Sequence, residues 1–165
     1  MTEFCWQRTW IRFVSTVLVF SMMALIFIFS TQNAEASDET SGGISRMVIG
    51  ILYPGYDAEA PERKTEIYDT VQHYVRKTAH FTEYLILGLL TRICLLSWFG
   101  KRRWLTGASW GTATLYAVTD EMHQLLIDGR SGQWTDVLLD SAGVLAGVMI
   151  AGEIIRKTEQ KKGRK

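Results

Sequence analysis

Cysteine and proline are nearly absent from this sequence, with two of each among 165 residues. Cys5 precedes one apolar run and Cys94 lies inside another, with no CxxC pair and no Cys/His zinc spacing anywhere. Neither a disulfide framework nor a structural zinc site is indicated. An excess of either charge is also missing, since 18 Lys and Arg stand against 17 Asp and Glu for a formal net charge of +1. No long face is uniformly basic apart from the short carboxyl-terminal tail, which argues against a nucleic-acid surface. Nothing repeats, and the length is that of one domain, residues 1–165.

What is present is apolar surface. Apolar residues make up 47% of the chain, with six tryptophans. The mean hydropathy of only +0.04 reflects dilution of apolar runs by a polar loop and tail. A bilayer core of about 30 Å is crossed by about 20 helical residues. Four runs meet that length: 11–30, 80–99, 104–127 and 134–155. The first has no charge after Arg12 and exceeds the roughly 7–15 residues of a secretory core, so an uncleaved anchor is expected despite the Ala34-x-Ala36 pattern. The fold class expected is all-α, an integral membrane four-helix bundle.

Basic residues orient it. Arg8 and Arg12 precede the first run, Lys101, Arg102 and Arg103 separate the second and third, and Arg156, Lys157, Lys161, Lys162, Arg164 and Lys165 follow the fourth. The positive-inside rule then makes both termini cytoplasmic and faces a long acid-rich segment between the first two spans outward. Within that segment, Ile44, Met47, Val48, Ile51 and Leu52 share a helical face, predicting a short helix on the membrane that ends at Pro54 and Gly55. After Pro61, the stripe Ile67, Val71, Tyr74 and Phe81 predicts a helix leading into the second span. Gly107 and Gly111, and Gly143, Gly147 and Ala151, have the small-xxx-small spacing that lets helices approach closely.

With this topology four segments bring polar groups to one outer level. Arg76, Lys77, His80 and Glu83 enter the second span; Asp120, Glu121, His123 and Gln124 end the third; Arg130 lies in the connecting loop; Asp136 and Asp140 begin the fourth. Such groups are costly against lipid and should face inward. Histidines beside carboxylates suit acid–base work, which nominates His80, Glu83, Asp120, Glu121 and His123 as catalytic candidates. Arg76, Lys77, Gln124, Arg130 and Asp136 are the candidate binding set, the cations suiting a phosphate or carboxylate. The alternative is plain ion pairing between helix ends. HxxE and ExH spacings are too frequent to assign a metal, no cofactor is implied, and no nucleophile has a diagnostic spacing. Arg92 is expected to snorkel to headgroups, and His73 to be solvated.

The pieces "RKTAHFTEYLILGLL" and "TDEMHQLLIDGRSGQWTDVLLDSAGVLAG", with the short basic link between them, resemble the VanZ-like family of bacterial membrane proteins. The resemblance implies Arg76, Lys77, His80, Glu83, Asp120, Glu121, His123, Gln124, Arg130 and Asp136 as characteristic positions; Asp140 and Asp128 stand where the family often carries asparagine and proline. The family is named for low-level resistance to teicoplanin, an acylated glycopeptide. That implies a multi-pass protein of the bacterial cytoplasmic membrane, acting at its outer face on an anionic envelope lipid or lipid-linked wall precursor. An enzyme hydrolysing or transferring a group on such a lipid, and a proton-linked transporter or structural bundle, are the rival readings.

Overall fold

The computed structural model describes residues 2–31, 34–127 and 133–162, with side chains over 9–31, 41–127 and 133–161. All regular structure among them is helical: α1 (Thr2–Ser30), α2 (Ala34–Leu52), a single 3-10 turn at Tyr56–Ala58, α3 (Pro61–Phe99), α4 (Leu105–Gln124) and α5 (Trp134–Lys162). Proline and glycine set the bounds of α3. Ala60 is extended, as a residue before proline prefers, and Pro61 opens the helix where a missing N–H costs nothing. Gly100 ends it at φ +66°, its N–H donating to the Leu96 carbonyl at 2.9 Å.

Three helices are long and apolar enough to cross a membrane, over Thr9–Ser30, Pro61–Phe99 and Trp134–Lys161. α4, inside the expected 104–127 span, is helical but is not one of these three; threonines at 106, 112, 114 and 119 and the acids at its end lower its hydropathy. Only 17% of the apolar window of α1 is buried within the chain. Trp10, Phe13, Phe20 and Ile28 are each about 60% exposed or more. A helix apolar all round and uncovered by protein is one that lipid covers. The chain is membrane-embedded.

One core draws on four helices: Ile26 from α1, Tyr84 and Leu87 from α3, Ala113 and Ala117 from α4, and Val144 and Val148 from α5. The tightest contact is between α3 and α5, and glycine makes it. A Cβ on Gly143 would lie 2.5 Å from the Phe81 carbonyl oxygen, while one on Gly147 would overlap that of Leu85 and one on Gly88 that of Val144. The second small-residue series therefore lies at a helix crossing, where close backbone approach replaces side-chain interdigitation. Gly107 and Gly111 do not, having no atom within 4 Å of an added Cβ.

α3 has 39 residues, about 58 Å at 1.5 Å per residue, far more than a bilayer core requires. Its first half carries α2 on a separate small cluster of Ile49, Ile67 and Val71. Buried Gln72 accepts from Ser45 and donates to Ser41 Oγ at 2.7 Å, which fixes the register of the pair. The helix expected near Ile44 is present, but it meets α3 with Ser45 and Ile49. Ile44, Met47, Ile51 and Leu52 stay uncovered.

Both ends of the assembly are tied. Arg12 Nε donates to the Ser97 carbonyl at 3.0 Å and Lys101 pairs with Glu159, which places the start of α1, the end of α3 and the tail of α5 together. Lys77 of α3 pairs with Asp136 of α5 at the other end.

Candidate functional site

Helical phase determines what reaches that second end. On α4, positions 105, 109, 113, 117, 120, 121 and 124 form the buried face, so the run that is small and apolar further back finishes as Asp120, Glu121 and Gln124. On α3, Lys77 and His80 are three apart; on α5, Asp136 and Asp140 are four apart. These faces enclose a cavity of about 10 Å³ lined by Lys77, His80, Glu121, Gln124, Asp136 and Asp140, space for about one water. Three segments distant in sequence thus converge on one point.

Its bonding is specific. Asp136 Oδ1 accepts from Lys77 Nζ and, at 3.3 Å, from the Thr135 hydroxyl. Glu121 Oε1 accepts the backbone N–H of Gln133 at 2.6 Å, tying α4 to the start of α5. Behind the cavity, Asp120 Oδ2 accepts from the Tyr84 hydroxyl at 3.1 Å and from Gln124 Nε2 at 3.2 Å. Asp120 Oδ1 and Asp140 Oδ1 are buried with no hydrogen-bond partner among the described residues. Lys77 is the only lysine or arginine among the described lining residues, against three carboxylates. An enclosed set so rich in acid can bind a cationic or hydrogen-bond-donating group, or pass protons.

Not every candidate points here. Glu83 lines a groove on the α2 side of α3. His123 stacks on Phe27 of α1, ring centroids 4.8 Å apart, and its buried Nε2 has no partner among the described residues. Arg76 is half-buried beside Lys77; Arg76, His80 and Glu83 all have partners of their own. Arg130 and Asp128 lie outside the described residues. Among the described residues, no three His, Cys, Asp or Glu side chains gather as a metal site.

One hollow adjoins the cavity, and a second adjoins the first. A pocket of about 520 Å³ is walled by His73, Lys77, Gln133, Thr135 and Asp136, with Phe81 and Leu139 adding apolar surface. An apolar groove of about 730 Å³ runs between α2 and α3 past Ile44, Val48, Leu52, Val75, Ala79 and Ile86. Tyr74 and Thr78 line both. His73, expected to be solvated, is exposed and lines the first hollow, while Tyr74, expected in the apolar stripe of α3, is 67% exposed and lines both. Tyr84 was visible in the motif, but its bond to Asp120 is a tertiary contact. Tyr84→Phe is expected to cost about 1–3 kcal/mol, because a buried carboxylate oxygen loses a donor; a lower thermal midpoint in detergent is the readout.

A family model described as VanZ/LLP1 matches residues 15–156, most of the chain and every helix that builds this site. The chain belongs to the VanZ/LLP1 family. No curated protein and no solved structure matches it. The family match runs from within α1 to the last turns of α5, so α2 and the groove it forms with α3 are part of this VanZ-like unit.

Proposed function

We propose that this VanZ-like protein lies in the bacterial cytoplasmic membrane as a bundle of α1, α3, α4 and α5, with both termini inside and the polar site facing out. There it binds the anionic head of an envelope lipid or lipid-linked wall precursor, which confers low-level protection against teicoplanin. The orientation is supported by the collection of Arg12, Lys101, Arg102, Arg103 and Arg156 toward the opposite end. The observation that carries the reading is continuity: a pocket that presents Lys77 and a largely apolar groove share Tyr74 and Thr78, a layout that suits an amphiphile. The head would meet Lys77, His73 and Gln133, and an acyl chain would lie along α2 and α3.

Expression in a sensitive Gram-positive host tests this. Selective protection against teicoplanin over vancomycin, lost on Lys77→Met at equal membrane levels, is the expected result. Undiminished protection in the variant removes Lys77 from function. A second reading, chemistry on the bound lipid, is favoured by the unpartnered buried oxygens of Asp120 and Asp140, which suit proton transfer. Turnover of labelled envelope lipid by the purified protein decides between them.

A further inference from the structure

The end of the bundle remote from this site holds a second pocket, about 360 Å³ in volume, between the ends of α3 and α5 and the link into α4. Its walls include Arg92, Lys101, Arg102, Arg103 and Arg156 against one acid, Glu159. That acid is taken by Lys101, and Arg156 bonds Glu153 through Nε at 3.0 Å and through Nη2 at 2.8 Å. Arg92, Arg102 and Arg103 have no ion pair among the described residues.

Arg92 carries the argument. A guanidinium in an apolar stretch is expected to stretch toward headgroups, yet its Nε and Nη1 are buried with no hydrogen-bond partner among the described residues. Two sealed donors without a partner are costly to keep, even on a guanidinium that is only partly buried. Beside it, Gly152 leaves open space where a side chain would stand, and Leu96 and Ile155 make an apolar flank. Fixed donors, two further unpaired arginines and a half-apolar wall at the level where α3 leaves its apolar run match a phosphate group with hydrocarbon attached.

We infer that this pocket binds the phosphate of an anionic phospholipid, with Arg92 as its buried donor and Arg102 and Arg103 closing over it. The site is separate from the proposed outward one, so either stands if the other fails. Its occupant would tie α3 to α5 where glycine packing no longer does.

The test uses the full chain purified in neutral detergent and delipidated, then titrated with phosphatidylglycerol, with phosphatidylcholine, or with inorganic phosphate alone. Bound lipid is counted by native mass spectrometry, alongside the thermal midpoint. Phosphatidylglycerol is expected to bind at least tenfold more tightly than phosphatidylcholine and to raise the midpoint, with the preference lost in Arg92→Gln. Should that variant fold poorly, Arg103→Gln, in the link between helices, is expected to weaken binding several-fold without lowering the midpoint of the lipid-free protein. Equal binding of both lipids, or unchanged phosphatidylglycerol binding in the variants, overturns the inference. Stabilisation by inorganic phosphate to the same extent overturns the lipid assignment and leaves a soluble anion as occupant.

Discussion

Replacing Gly147 by leucine is expected to leave almost no folded protein in the membrane. At that position even a Cβ overlaps the Leu85 carbonyl oxygen and comes within 2.8 Å of the Leu89 amide nitrogen. Oversized side chains cost about 1–3 kcal/mol where neighbours can turn aside. Here the neighbours are α3 backbone atoms, fixed by their own helical hydrogen bonds, so the cost lies above that range. The expected loss follows from where these residues sit: α3 and α5 carry Lys77, His80, Asp136 and Asp140, and separating the helices dismantles the site as well as the core. Gly107→Leu is the control, since nothing lies within 4 Å of its Cβ. Membrane levels and thermal midpoints of the two variants should differ sharply; equal behaviour would contradict the crossing.

Lys77→Met is expected to have the next largest effect, in two separable parts. The Lys77 and Asp136 side chains are 25% and 26% exposed, so the pair is sheltered but not sealed. Breaking a fully buried pair costs about 3–5 kcal/mol, and partial solvation lowers the expected loss to about 2 kcal/mol. Glu121 and Asp140 share the cavity and add to the uncompensated negative charge. Adding Asp136→Leu should recover most of the lost stability, as apolar replacement of an ion pair often does. It should not recover lipid binding or drug protection, because the cation that meets the anion is still missing. Recovery of both would make the pair a structural link and nothing more.

How far this was legible in the sequence differs by element. Lys77, His80, Glu121, Gln124, Asp136 and Asp140 are placed at one level by span length, and the cavity they line draws on all three helices. Phase, however, turns Glu121 away from Gln124 and groups His123 with it, whereas Glu121 lines the cavity and His123 meets Phe27. Period and length do not suffice for α2 either, where an apolar stripe has two destinations, protein and lipid. Ile44, Met47, Ile51 and Leu52 read as a face laid on the membrane and stay uncovered, but the face that meets α3, small, polar Ser45 and neighbouring Ile49, has no apolar stripe to announce it. The same ambiguity separates the two glycine series: identical spacing, one at a crossing and one on an open face. Glu83 shows a third limit. Three residues along a helix is about 300°, near enough for His80 and Glu83 to be read as one face, yet wide enough for them to line different hollows on α3.

The most direct test of the account is to fill the groove without touching a charge. Ala79 is exposed and lines the apolar groove within one turn of Thr78 and Lys77. Leu115 of α4 is 65% exposed away from the groove and provides the control. Anionic amphiphile retained by the purified wild type, Ala79→Trp and Leu115→Trp proteins would be measured at matched thermal stability. The account predicts a loss of about tenfold at the outward site for Ala79→Trp, comparable to removing one good contact of about 1.4 kcal/mol, and none for Leu115→Trp. Equal retention by all three proteins would mean that the groove holds no acyl chain, and the proposed amphiphile site would be contradicted.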